Sequence, residues 1–459
     1  MADAHFDVVI IGAGQAGEPL ATLAAKHGQT VALIEAEHLG GSCVNFGCTP
    51  TKAVIASARV AHLARRGKEF GIQIGDVKPD FGAVLGRARA IVERSLAFLD
   101  EHLAQADNPR LIRGWARLCG RDGEHFVLSV GDRRITAQKV VLDTGTRTRV
   151  PDIDGLDQVA YLCAENWLQG SELPGHLVIV GAGYIGLEMA QFYRRMGSEV
   201  TVIDPGGQIA GHEDEDIAAT LQKVLQDEGI GFRLRSSARS VASAAEGLRL
   251  TVEDESGGRS ELTATHLFLA TGRKPSTDDL GLESVGVRLD DHGMVEVDER
   301  LGSSVPGIWA VGDIRGGPMF THTAWDDHRI LESQWFGDGT RTTDRVVPYA
   351  LFTDPELGRT GLTEAQARKQ GHRCRAATFE VKRNGKAREV GETDGLIKVV
   401  IDEDSGQILG AAVLAHEGAE LVHVYVALMN AKAPYTVLEQ AIQIHPTLAE
   451  ALQSAVTPD

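Results

Sequence analysis

Residues 6–37, FDVVIIGAGQAGEPLATLAAKHGQTVALIEAE, and residues 176–204, HLVIVGAGYIGLEMAQFYRRMGSEVTVID, are two copies of one pattern. Each runs from an apolar strand through a glycine-rich turn into an amphipathic helix, then into a second strand that ends on an acid. Gly12, Gly14 and Gly17 of the first copy match Gly181, Gly183 and Gly186 of the second. Glu35 and Asp204 each fall 23 positions after the first glycine. The spacing suits a dinucleotide. The first glycine permits the tight turn, the second lets backbone approach a pyrophosphate, and the third lets helix and strand pack closely. The helix amino terminus offers free N–H groups to the phosphates, and the acid accepts from ribose hydroxyls. One such fingerprint is weak, since a tight strand–helix turn explains it. Two in register predict two Rossmann-like dinucleotide-binding units in an α/β chain.

Echoes follow each copy. LDTGTRTRVP at 142–151 and LATGRKPS at 269–276 both end a strand on Thr-Gly and continue into a basic stretch. Thr144–Gly145 and Gly272 are therefore expected where the chain passes between units. The second unit would lie inside the first: 1–149 forms the opening part, 150–272 the insert and 273–340 the return. Within that return, VPGIWAVGDI at 305–314 would deliver Asp313 to a nucleotide site. From 341 to 459 there is no third fingerprint; strands such as LIKVVID and a long final helix are expected to form a separate α+β domain.

At 459 residues, three or so domains are expected, and 43% hydrophobic with 24% charged residues is a globular composition. The net charge of −18 argues against nucleic acid or an anionic membrane as partner. No apolar run approaches the roughly 20 residues that cross a bilayer. The opening MADAHFDVVIIG lacks a basic n-region, so a cytoplasmic location is the expectation.

Five cysteines are too few and too uneven for a secreted disulfide framework. Cys119, Cys163 and Cys374 read as packing residues. Cys43 and Cys48 are different: they stand in GGSCVNFGCTPTK at 40–52, with four residues between them on a glycine-flanked segment. On a slightly distorted helix, positions five apart bring two sulfurs to one face. No second cysteine or histidine pair stands at metal-ligand spacing, which argues against zinc. A redox dithiol and a structural disulfide both remain open from spacing alone.

Together the dithiol motif, the two fingerprints, AVGD at 310–313 and HPTLAE at 445–450 resemble the flavin-dependent pyridine nucleotide–disulfide oxidoreductases, over essentially the whole chain. The details look most like their mercuric-reductase-like and lipoamide-dehydrogenase-like branches. The resemblance implies a homodimer with shared active sites and a carboxy-terminal dimerisation domain. It implies FAD at Gly12, Gly14, Gly17, Glu35, Gly41, Ser42, Lys52, Thr144, Gly145 and Asp313, and NAD at Gly181, Gly183, Gly186, Asp204 and Gly272. Cys43 would exchange with substrate, and Cys48 would sit against the flavin in a thiolate–flavin charge-transfer pair. Lys52 would lie beside the flavin and pair with Glu188. Tyr184 would cover the flavin until nicotinamide displaces it. His445, supplied by the other subunit and held by Glu450, would be the general acid/base, with a cis bond to Pro446. A histidine suits that task on its own chemistry, because it changes charge near neutrality and stabilises a nearby thiolate. His322 and His328 are expected to build a flavin-side helix rather than to act directly.

The activity implied is electron transfer from NADH through FAD to Cys43–Cys48, then to a small-molecule or lipoyl-type disulfide. The alternatives are flavin-dependent reduction of a metal ion or quinone, and a non-catalytic FAD-binding subunit. The chain has no cysteine after Cys374, where mercuric reductases carry a pair, and has Thr22 where glutathione reductases carry an arginine. NADH is expected over NADPH. Asp204 would repel a 2′-phosphate, no Lys or Arg occurs from 204 to 216, and Glu213, Asp214, Glu215 and Asp216 add negative charge. Arg194 and Arg195 are expected on a solvated helix face.

Overall fold

A computed structural model describes residues 4–457. Strand Ala4–Ile11 has Val8, Val9 and Ile10 fully buried, as a strand covered on both faces of a parallel sheet must be. It lies between Val31–Glu35 and Arg133–Leu142, parallel to both, and Arg110–Arg113 extends the sheet beyond Val31–Glu35. The ten-residue strand Arg133–Leu142 serves two structures. Its first half pairs antiparallel with His125–Val130 in a meander that continues to Ala116–Asp122. Its last three residues pair parallel with Ile308–Ala310, the strand leading to Asp313.

The second copy repeats this plan. Ile230–Leu234, Glu199–Asp204, His176–Val180 and His266–Leu269 form a four-stranded parallel sheet in that order. A three-stranded antiparallel meander of Ser236–Ala244, Gly247–Asp254 and Arg259–Ala264 accompanies it. The two Thr-Gly echoes meet: Thr146–Thr148 and Arg273–Pro275 pair antiparallel, so the outgoing and returning chains form one ribbon between the sheets.

The last part of the chain forms a five-stranded antiparallel sheet, ordered Pro348–Leu351, Glu356–Gly361, Ile408–Ala415, Leu396–Asp402 and Cys374–Glu380. Its core includes Ile397, Val399, Val413 and Tyr425. The expected long final helix does not form. Pro434 and Pro446 interrupt the segment, which folds as short helices at His423–Asn430, Thr436–Glu439 and Ala449–Ser454. Val437 in the second of these helices, and Ile442 and Ile444 after it, are exposed, Ile442 completely. No helix among the described residues is long and apolar enough to cross a membrane.

Candidate active site

The two glycine turns are built alike. Gly12 and Gly181 have φ of +104° and +109°, and a Cβ on either would lie 2.2–2.3 Å from a carbonyl oxygen, that of Asp143 or Ala270. A Cβ at Gly17 or Gly186 would meet the carbonyl of the first glycine of its own turn at 2.1–2.2 Å. Gly183 differs, because a Cβ there meets nothing within 4 Å. Its bare backbone faces open space, where a phosphate would approach. Glu35 and Asp204 have a task the sequence did not reveal: each ties its turn to its strand end. Glu35 Oε2 accepts from Ala13 N at 2.8 Å, and Asp204 Oδ2 from Ala182 N at 2.7 Å.

Asp143 was also missed. It stands in the first unit where Ala270 stands in the second, and its Oδ2 accepts from Gly17 N at 2.7 Å, capping the first helix. Burial pushes its carboxyl well above the usual range, and nearby Asp313, Asp327 and Glu35 add to this. Comparing LDTG with LATG inside the chain's own repeat would have singled it out. Asp313 accepts from Thr146 Oγ1 at 3.2 Å, and burial raises its pKa as well. Its turn is held from the helix Thr321–Phe336, where the fully buried Asp327 accepts from Gly312 N and Arg315 Nε, both at 2.8 Å. His328 is buried in this helix, and His322 meets Pro348 O at 2.6 Å.

Cys43 and Cys48 do not lie on one helix. Cys43 ends up in the short helix Gly41–Asn45, the chain breaks at Phe46–Gly47, and Cys48 opens the helix Cys48–Arg65. The break depends on Gly47, where a Cβ would stand 2.8 Å from Ser42 O. It places Cys48 at the positive end of an 18-residue helix, a position that favours thiolate. The structure holds both as free thiols, the reduced form of the pair. The hydrogen bond from Cys43 pulls Cys48 down to about 6, helped by Thr321 Oγ1 at 3.2 Å and the Lys52 charge and opposed by burial. Cys43 is pushed the other way by that same bond and by burial. At neutral pH the pair therefore holds its negative charge on Cys48 and its proton on Cys43. Among the lone cysteines, Cys374 is buried and Cys163 half-buried, but Cys119 is exposed rather than packed.

One turn after Cys48, Lys52 Nζ reaches both oxygens of the buried Glu188, at 2.9 and 3.0 Å, and lies 4.6 Å from the centroid of the Phe352 ring. Glu188 also accepts from Phe352 N at 2.9 Å. Tyr184, the first residue of the helix Tyr184–Met196, donates to Glu213 Oε1. His445 Nδ1 lies 3.0 Å from Glu450 Oε1, and Glu450 Oε2 accepts from Thr447 N at 2.8 Å. That backbone bond first, and His445 second, hold the Glu450 carboxyl below its usual range. The His445 side chain is 77% exposed and the His445–Pro446 bond is cis.

Two expectations about charge are corrected. Arg195 is buried, not solvated, and pairs with Glu228 at 2.7 Å and Asp354 at 2.8 Å. Glu213 and Asp214 are likewise buried. Arg359 and Lys398 lie within 3.2 and 3.3 Å of Asp214, so this acidic stretch is largely neutralised.

A continuous cavity of about 2470 Å³ joins these groups. It is lined by Gly12, Gly14, Glu35, Gly41 and Ser42, passes Cys43, Cys48, Lys52 and Asp313, and reaches Gly183, Tyr184 and Gly272. Pockets for one small ligand span roughly 300–1,000 Å³, so this volume and its two glycine turns fit two dinucleotides meeting at the dithiol.

Comparison with known proteins agrees with this geometry. Residues 6–327 match the pyridine nucleotide-disulphide oxidoreductase family, and residues 347–456 match the dimerisation domain of that family. The chain is 33% identical to a dihydrolipoyl dehydrogenase of Cupriavidus necator over 98% of this chain and 97% of that one. It is 35% identical to a mercuric reductase of Streptomyces lividans, over 99% and 97%. A Cu(II) complex of the HOCl-induced flavoprotein disulfide reductase RclA from Escherichia coli superposes with a TM-score of 0.88 at 32% identity, covering 98% of this chain and 99% of that one. The chain belongs to the class I pyridine nucleotide–disulfide oxidoreductases and is an FAD- and NAD(P)H-dependent enzyme of disulfide chemistry.

Proposed function

We propose that the enzyme takes electrons from NADH in preference to NADPH and passes them through Cys43 and Cys48 to a small-molecule or lipoyl-type disulfide. The observation that carries this reading is the dithiol at a helix start, charged on Cys48 and opening into a cavity between two dinucleotide turns. FAD bound along the first turn would supply the two-electron exchange between nicotinamide and dithiol. Gly12, Gly14, Gly17, Glu35, Gly41, Ser42, Thr144, Gly145 and Asp313 hold it, and Lys52, fixed by Glu188, places positive charge beside it. Gly181, Gly183, Gly186, Asp204 and Gly272 hold the nicotinamide dinucleotide, and Tyr184 covers the site it enters.

Substrate reduction then uses the chain's own groups. His445 of one subunit takes the proton from Cys43 of the other. The Cys43 sulfur attacks one substrate sulfur, the substrate S–S bond breaks, and the departing thiolate takes the proton from His445. Cys48 then attacks the Cys43 sulfur, releases the second substrate thiolate and closes the Cys43–Cys48 disulfide. Glu450 keeps the His445 ring oriented through Nδ1. The chain divisions at 149/150, 272/273 and 340/341 belong to the same proposal, with the ribbon of Thr146–Thr148 and Arg273–Pro275 as the joint. A cytoplasmic site of action fits the reducing setting such a dithiol needs.

The NADH choice rests on Asp204. Arg235 lies across the same turn with its guanidinium about 3.3 Å from where a Cβ of Gly207 would be, and Glu255 engages it at 3.3 Å. Steady-state assays on a panel of small and lipoyl-type disulfides, each run with NADH and NADPH, test both halves. kcat/KM is expected to favour NADH by about tenfold or more, the loss caused by a 2′-phosphate against a carboxylate. An NADPH preference that disappears in Arg235→Ala would overturn the NADH choice and identify Arg235 as the phosphate reader. A second reading, reduction of a soft metal ion by the same dithiol, is favoured by the mercuric reductase among the relatives and by the Cu(II) complex of RclA. Reduction of a quinone at the flavin is its dithiol-independent counterpart. Acceptors that survive Cys43→Ser separate that counterpart from both dithiol readings.

A further inference from the structure

Tyr184 and Tyr349 donate to the same atom, Glu213 Oε1, at 2.8 and 2.9 Å. Their ring centroids are 5.7 Å apart, and Phe320 stacks on Tyr349 at 5.1 Å and 8°. Burial, then the Glu213 charge, pushes the Tyr184 phenol far up and Tyr349 to about 12, so both remain donors at any working pH. The other side of Glu213 is unfinished. Oε2 is buried without a hydrogen-bond partner, and so are Nε and Nη2 of the buried Arg359. Oε2 and Arg359 Nε are 3.8 Å apart, just beyond hydrogen-bond reach. Leaving such atoms unpaired in a packed interior is costly and uncommon. The surrounding loop is fixed: Asp214 is held by Arg359, Lys398 and the amide of Glu364. A change at Glu213 is therefore confined to its own side chain.

We propose that Glu213 is the latch of Tyr184, holding the ring shut through Oε1, and that Arg359 receives the carboxylate when the ring swings aside for nicotinamide. This rests on Tyr184 being the ring that covers the nicotinamide site. Glu213 is a positioning residue that acts through Tyr184. Tyr349 shares the oxygen and weakens the latch by competing for it. Each coenzyme molecule must break the latch to enter, so apparent affinity is reduced by the fraction of enzyme that is shut. A change in the latch alters NADH KM and not kcat, because at saturating NADH the bound coenzyme keeps the ring aside.

The test measures NAD⁺ binding to the FAD holoenzyme by titration calorimetry, with NADH KM, kcat and Tm for each variant. Tyr184→Phe is expected to tighten NAD⁺ and lower KM about fivefold, as loss of a charge-assisted bond to a shared acceptor would. Tyr349→Phe is expected to shift both in the opposite direction. In a Glu213→Gln background, Tyr184→Phe is expected to have a clearly smaller effect on both, because the amide oxygen still accepts the phenol but carries no charge. Equal effects of Tyr184→Phe in both backgrounds, or same-direction shifts in the two tyrosine variants, would overturn the latch. Should Glu213→Gln fail to fold, the opposed signs of the tyrosine variants still decide it. If Tyr184→Ala leaves NAD⁺ affinity and KM untouched, the gate reading itself fails; if it alters them while the coupling to Glu213 is absent, only the latch fails.

Discussion

Cys43→Ser enzyme is expected to lose disulfide reduction by on the order of 10³-fold or more, the scale on which removal of an attacking nucleophile is felt. NADH-driven reduction of artificial dyes should continue, because the Lys52–Glu188 pair and the second glycine turn are untouched. The variant should also show long-wavelength absorbance without any reductant, since Cys48 then stands as a lone thiolate beside the flavin. Its pH dependence follows from the depressed pKa of about 6. The thiolate is present above that value, so the absorbance should persist at neutral and alkaline pH and fade as pH drops through about 6. The serine hydroxyl still donates in place of the Cys43 thiol, and Thr321 and Lys52 remain. Retained disulfide turnover in this variant would remove Cys43 from the reaction.

His445→Ala is expected to lose about 10²–10⁴-fold in disulfide turnover, the usual contribution of a positioned acid–base group. The effect should depend on the dimer. His445 is highly exposed and is not among the residues lining the cavity that holds Cys43, although Glu450 fixes its ring. Exposed Ile442 and Ile444 lie just before it, an apolar rim suited to a twofold contact. Mixing His445→Ala with Cys48→Ser subunits, each inactive alone, should restore about a quarter of wild-type activity. Half of the dimers are then heterodimers, each with one intact site. No recovery after verified subunit exchange would mean that the site is built within a single chain.

The sequence made the two dinucleotide units legible because glycine turns impose strict local geometry: Gly12 and Gly181 sit where no side chain fits. The inserted order of the units was legible from two Thr-Gly echoes, which turned out to face each other across one ribbon. Contacts distant in sequence were hidden. That Asp143 caps the first helix, or that Asp327 holds the Asp313 turn, depends on how separate strands and helices are brought together. Glu213 and Asp214 counted as added negative charge, yet the partners that neutralise Asp214, Arg359 and Lys398, lie about 145 and 184 residues away. Arg195 was misplaced for the same reason, since both of its acidic partners come from other elements. The break at Phe46–Gly47 was encoded locally, but its effect, a cysteine at a helix start, emerges only from the backbone.

Mapping the thiols that NADH creates is the most direct check on the electron path. The oxidised holoenzyme is treated anaerobically with one equivalent of NADH per subunit, alkylated, and its labelled cysteines are identified by mass spectrometry. New label should appear at Cys43 and, more slowly, at Cys48, which the proposed path sets on the flavin side of the pair, with no change at Cys119, Cys163 or Cys374. Label on Cys43 and Cys48 that is the same with and without NADH would contradict a path through this dithiol.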